Sequence, residues 1–300
     1  MFEGCGTALI TPFTADGSLD EPTLRKLVRR QIEAGIDFLV PCGTTGESPT
    51  ITLEEHLRVV QITVEEAAGK VPVLAGAGGY FTKEVIELGE GCAAMGADGL
   101  LSVTPYYNKP TQEGLFQHYQ ALAGAVPLPI IVYSVQGRTG VNVEPATLAR
   151  LATIRNIVGV KEASGNIAQM ANVMQEVPAG FKVLSGDDSI TIALMGLGGH
   201  GLISVASNEI PAEMTAITRH CRNGDFAAAR KIQRAYLPLM NINFIESNPI
   251  PVKAAMALMG LCQPVWRLPM VAPSAASEAR IAEVLTQCGL LKEQTQHARS

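Results

Sequence analysis

The stretch PIIVYSVQGRTGVNVEPATLARLATIRNIVGVK, residues 129–161, decides the fold. It opens on an apolar run at 130–134 and closes on another at 157–161. Both runs are rich in Val and Ile and lack a polar face, the pattern of a strand buried on both sides. Between them, 144–152 reads as a helix. Two such strands joined by a helical crossover make a parallel βαβ unit.

Outward from this unit the rhythm repeats. Further strand candidates are 6–10, 37–40, 71–75, 99–103, 182–185 and 201–205. Helical segments fall at 53–68, 82–94, 112–123, 166–176, 189–196 and 209–220. The first of these follows Thr52 and has Glu55 three residues on, a capping box. Eight parallel strands alternating with helices favour a closed (β/α)8, or TIM, barrel over an open sheet. We divide the chain into a barrel at 1–224 and a C-terminal helical region at 225–300, with helices at 226–240, 251–259 and 277–285 appended to the barrel. The polar tail from Lys292 onward is expected to be mobile.

Composition narrows the function classes. Of 300 residues, 47% are hydrophobic and 17% charged, enough apolar surface for a large core. The net charge of −5 and the single Trp argue against a basic, base-stacking nucleic-acid surface. Stretches 114–137 and 189–208 lack acidic and basic residues, but prolines, glycines and His118 and His200 interrupt them, so neither predicts a membrane span. Cys5, Cys42, Cys92, Cys221, Cys262 and Cys288 are scattered without a CxxC pair, and the N-terminus has no signal-peptide pattern. Reduced thiols and a cytoplasmic location are expected.

In a barrel of this kind the chemistry lies at the carboxyl ends of the strands. Just past the predicted strands stand Gly43-Thr-Thr-Gly-Glu47, Gly76-Ala-Gly78, Tyr106-Tyr107, Arg138, Lys161, Gly186-Asp-Asp188 and Ser204. Lys161 is the most informative, because it ends an apolar strand where a charge is normally excluded. A neutral amine there can attack a carbonyl and form a Schiff base; alternatively, Lys161 pairs with a carboxylate such as Glu162. Tyr133 ends the neighbouring strand and can shuttle protons, or simply pack in the core with one hydrogen bond. Arg138 can clamp a carboxylate, or be a solvated loop charge. The 43–47 turn can form an anion nest, or only a tight turn.

Other patterns weigh less. Gly196-Leu-Gly-Gly-His-Gly201 fits GxGxxG but lies between a helix and a strand, the reverse of the dinucleotide context. Asp187-Asp188 reads as a helix N-cap and a first-turn acid rather than a cation site. The five histidines show no metal-ligand spacing, and no metal is expected.

Taken together, 43–48, 104–108, Tyr133, 137–140, 160–166, 185–188, 201–208 and 248–253 resemble the dihydrodipicolinate synthase / N-acetylneuraminate lyase family of class I, pyruvate-dependent aldolases. The resemblance spans nearly the whole chain. It implies that Lys161 forms the imine with pyruvate and Tyr133 donates and accepts protons. Thr44 and Tyr107 would complete a proton relay, Tyr107 reaching in from a partner subunit. Thr45 would hold the pyruvate carboxylate, with Gly186 and the backbone at Ile203 lining the site, and Arg138 would bind the carboxylate of the aldehyde. No organic or metal cofactor is implied, because the imine is the electron sink.

Thr44 and Arg138 look like the synthase branch of that family. The implied reaction is condensation of pyruvate with L-aspartate 4-semialdehyde, toward diaminopimelate and lysine, in a homotetramer of tight dimers. The alternatives are another pyruvate-dependent aldolase or dehydratase on the same machinery, or a non-catalytic metabolite-binding barrel. Ser134 and Gln136 replace the family's usual Asn and Pro, which bears on aldehyde specificity. A feedback pocket for lysine would fall near Ser48, Pro49, His56, Tyr80, Glu84 and Tyr106. With Tyr80 in place of Asn and Leu53 in place of His, inhibition by lysine is expected to be weak or absent.

Overall fold

The computed structural model describes residues 1–292. The expectation for the tail, beyond Lys292 itself, lies outside the described residues. Eight strands form one all-parallel sheet: β1 (Gly4–Ala8), β2 (Phe38–Val40), β3 (Leu74–Gly76), β4 (Gly99–Val103), β5 (Ile130–Ser134), β6 (Ile157–Glu162), β7 (Lys182–Ser185) and β8 (Gly201–Ser204). Their order is β2-β1-β8-β7-β6-β5-β4-β3. A bridge between Leu39 and Val73 joins the two end strands and closes the barrel.

Helices α1 (Glu21–Glu33), α2 (Leu53–Ala67), α3 (Thr82–Ala94), α4 (Gln112–Ala125), α5 (Gln136–Thr139), α6 (Pro145–Leu151), α7 (Ile167–Glu176) and α8 (Thr191–Gly196) fill the crossovers, and α9 (Pro211–Arg222) follows the last strand. Helices α10 (Phe226–Ile242), α11 (Ile250–Leu258) and α12 (Ala275–Gln287) follow. The capping box at α2 forms in full: Glu55 N donates to Thr52 Oγ1, and Thr52 N donates to Glu55 Oε2. No helix among the described residues is long and apolar enough to cross a membrane.

Side chains of alternate strand residues separate into two cores. Phe38, Leu74, Leu101, Ile131, Leu184 and Ile203 fill the barrel interior. Cys5, Leu39, Leu100, Val132, Val160 and Val183 point outward against the helices. Ala229, Leu239 and Ile281 from α10 and α12 pack into that same outer core.

Several elements differ from the sequence expectation, among them β3, which starts at Leu74 rather than at residue 71, and the unexpected short helix α5. β1 begins at Gly4 rather than at residue 6. Glycines are poor strand formers and conceal where the strand begins, yet Gly6 is required: a Cβ on it would lie 2.1 Å from the Phe38 ring. Helix α1 was not anticipated, although its start is marked. Asp20 caps it by accepting from Thr23 N at 3.0 Å, and Pro22 sits in its first turn.

Candidate active site

The pleat of β5 and β6 sets the centre of the site. Tyr133 lies opposite Lys161 in the parallel register, so both side chains face the same way. Tyr133 belongs to the interior core, which places the pair inside the barrel at its carboxyl end. Lys161 Nζ stands 4.2 Å from the Tyr133 ring centroid. Lys161 is only 5% exposed. Among the described residues no carboxylate comes within the 4.0 Å of an ion pair.

Glu162 does not pair with Lys161, because consecutive strand residues point to opposite faces. It turns toward the helices, accepting from Gln169 Nε2 at 2.9 Å and from Ser164 N. Burial raises its carboxyl above the ordinary range, against the pull of those hydrogen bonds. Ser134 is likewise turned away from Tyr133, and its Oγ accepts from Val143 N at 3.2 Å. The substitution at Ser134 is therefore in the support behind the strand, while Gln136 opens the short helix α5 at the surface.

A cavity of about 120 Å³ opens over the pair. Thr44, Thr45, Arg138, Gly186, Asp187 and Asn248 line it together with Lys161 and Tyr133. Gly186 has to be small: a Cβ there would lie 2.5 Å from Ala163 Cβ and 3.1 Å from Lys161 Cε. Arg138 is exposed, so it forms the rim rather than the floor.

Thr44 and Thr45 are presented by a turn flanked by left-handed Cys42 (φ 56°) and Glu47 (φ 54°). Thr11 Oγ1 donates to the Gly46 carbonyl at 2.7 Å and ties the turn to the chain after β1. Glu47 is buried and accepts from Lys253 Nζ at 2.5 Å. Lys253 belongs to α11, so the C-terminal helices are part of the site and not only appended to the barrel. Sequence distance concealed this contact; the signal was a lysine inside the apolar run Pro249–Met256.

Asp187 and Asp188 depart from the helix-cap reading. Helix α8 starts at Thr191, and Ile190 takes the cap position. Asp188 instead reaches across to the end of β8, accepting from Ser204 Oγ at 2.5 Å and from Val205 N and Ala206 N. Burial raises its carboxyl, opposed by those bonds.

Two anticipated residues lie apart from the cavity lining. Ile203 is fully buried in the interior core beneath it. Tyr107 is 91% exposed, with φ 67°. Its loop is fixed by Asn108 Nδ2 donating to the Tyr80 carbonyl at 2.9 Å and by an edge-on Tyr80–Tyr106 contact. A second cavity, of about 200 Å³, is lined by Ser48, Pro49, Tyr106, Thr44 and Arg138. His56 takes no part in that lining: it is buried, with Nε2 2.8 Å from the Gly76 carbonyl, and burial lowers its pKa. Among the described residues no group of three or more His, Cys, Asp or Glu is placed to hold a metal ion.

A closed (β/α)8 barrel with a buried lysine beside a tyrosine, without a counter-charge among the described residues, has the parts of a class I aldolase. The chain belongs to the dihydrodipicolinate synthetase family, whose model matches residues 1–288. The 4-hydroxy-tetrahydrodipicolinate synthase of Koribacter versatilis is 51% identical over 97% of this chain and 98% of its own. That of Acidobacterium capsulatum is 49% identical over 97% of each chain. The crystal structure of dihydrodipicolinate synthase from Aquifex aeolicus superposes with a TM-score of 0.95 at 43% identity, covering 96% of this chain and 99% of that one.

Proposed function

We propose that this chain condenses pyruvate with L-aspartate 4-semialdehyde to 4-hydroxy-tetrahydrodipicolinate, using Lys161 as the imine-forming amine. The observation that supports it is a buried lysine without a counter-charge among the described residues, facing a cavity that also holds a phenol, two hydroxyls and an arginine rim.

The Lys161 amine adds to C2 of pyruvate, and loss of water leaves the imine. Removal of a methyl proton gives an enamine, whose carbon attacks the aldehyde carbon and forms the new C–C bond. The amino group of the semialdehyde then attacks C2, closes the ring and releases Lys161. Tyr133 and Thr44 carry protons in these steps, Thr45 holds the pyruvate carboxylate, and Arg138 receives the carboxylate of the aldehyde at the rim.

The relay is completed by Tyr107 from a second copy of the chain. Its side chain is displayed to solvent beside exposed Tyr80 and Phe81, an apolar face suited to a tight dimer. We place the protein in the cytoplasm as a dimer of dimers. Its six thiols are all unpaired, as a reducing compartment requires.

A panel of aldehydes offered with pyruvate tests the assignment. Turnover with L-aspartate 4-semialdehyde above all others is expected. Turnover confined to sugar-derived aldehydes would contradict it.

A further inference from the structure

One polar group in the cavity wall has no role in the reaction as written. Asn248 lies in the segment before α11 and is 4% exposed. Its Nδ2 donates to Thr45 Oγ1 at 3.1 Å, across 203 residues of sequence. Its Oδ1 is buried without a hydrogen-bond partner among the described residues.

We propose that Asn248 is a positioning residue for the carboxylate end of the pyruvate site, and this rests on the assignment of Thr45 to that carboxylate. A hydroxyl has one hydrogen to donate. With Thr45 Oγ1 accepting from Asn248, that hydrogen is left for a partner in the cavity. The threonine is thus held as a donor to an anion. The Oδ1, an acceptor, offers no hydrogen to an anion, so Asn248 acts on the substrate carboxylate only through Thr45.

The same segment clamps the turn a second time. Lys253 and Glu47 pair at 2.5 Å with both side chains shut off from solvent. The Lys253 Nζ also stands 4.1 Å from the Phe13 ring centroid, with the Arg267 guanidinium at 4.2 Å from that ring. Thr45 and Glu47 are therefore fixed from one stretch of chain, Asn248 through Lys253, and the hydroxyl has little freedom to turn.

Steady-state kinetics of Asn248→Ala, Asn248→Asp, Thr45→Val and Thr45→Val/Asn248→Ala test this, with thermal unfolding of each variant alongside. Asn248→Ala is expected to raise pyruvate KM about tenfold or more, with a smaller effect on kcat and none on the aldehyde KM. Asn248→Asp takes the hydroxyl's hydrogen and sets a negative charge beside the substrate anion. Its pyruvate KM is expected to rise at least as far and to recover as pH falls and the new carboxyl is protonated, a pH dependence that loss of packing does not give. If Asn248→Ala folds poorly, this recovery decides alone. In the Thr45→Val background, Asn248→Ala is expected to add little. A pyruvate KM within twofold of wild type in Asn248→Ala, no recovery in Asn248→Asp, or full additivity in the double variant overturns the inference and leaves Thr45 in place. An unchanged pyruvate KM in Thr45→Val overturns the Thr45 assignment and the inference with it.

Discussion

Lys161 and Lys253 are both buried lysines with an aromatic ring about 4 Å from the amine, Tyr133 for one and Phe13 for the other. They differ in what answers the charge. Lys253 is fully enclosed and bonded to Glu47. Burial pushes its ammonium below the usual lysine range, and the Glu47 carboxylate opposes that shift. Lys161 has no carboxylate within ion-pair reach among the described residues, and it opens onto a cavity. A paired lysine in a closed space is a strut, whereas an unpaired one facing a cavity is available to a ligand. Burial alone separates neither from the other; the partner and the opening do.

The largest effects break this contrast from each side. Lys161→Ala is expected to lower kcat by about a thousandfold or more with little change in melting temperature. Lys253→Met leaves a buried Glu47 without its cation and is expected to cost about 3–5 kcal/mol of stability. Adding Glu47→Gln to Lys253→Met should recover part of that loss. Calorimetric melting and steady-state rates measured on the same preparations check both. A Lys253→Met protein as stable as wild type would remove the strut from the account.

A smaller effect is expected one strand over. Tyr133→Phe keeps the ring beside Lys161 but removes the hydroxyl. It should lower kcat by about a hundredfold or more while pyruvate binding changes little. An unchanged kcat would return Tyr133 to the packing role that its place in the interior core already gives it. Arg138→Ala, at the rim, should chiefly raise the aldehyde KM. If only the pyruvate KM moves, Arg138 belongs to the other substrate.

Glu209 sharpens the comparison with a third answer to burial, neutralisation. It is fully buried, and its Oε2 accepts from Asn243 Nδ2 at 2.6 Å rather than from a cation. Burial drives its pKa up to about 8, with the Asn243 hydrogen bond pulling down and nearby Asp188 pushing up. A carboxyl raised in this way stabilises the fold fully below its unfolded value near 4.5, and the contribution is lost as pH rises through about 8. Wild type is therefore expected to lose more melting temperature between pH 6 and pH 9 than Glu209→Gln does. Parallel slopes for the two proteins would show that Glu209 is already ionised.

Much of this was legible in the sequence because the signals are local. β4, β5 and β7 fall where the short Val-, Ile- and Leu-containing runs place them. Lys161 stands out as a charge at the end of such a run, and the pleat then makes Tyr133 its neighbour. What was not legible depends on distant chain. The Asn248–Thr45 and Lys253–Glu47 contacts join residues more than 200 positions apart, and no periodicity announces them. The glycines that open β1 conceal where the strand begins because their function is to make room, Gly4 for Asp37 and Gly6 for Phe38, not to prefer extended backbone. Asp187-Asp188 looked like a helix start, but Asp188 is drawn instead to the backbone amides after β8. Tyr107 could be assigned a role only through a resemblance, and within one chain it points to solvent.

The contrast between the two buried lysines is tested most directly by trapping. The protein is incubated with pyruvate and borohydride, and the reduced adduct is located by peptide mass spectrometry. A single adduct on Lys161, with Lys253 unmodified and the signal absent in Lys161→Ala, is the predicted result. No adduct, or one carried by another lysine, would contradict the account and favour a barrel that binds metabolites without imine chemistry.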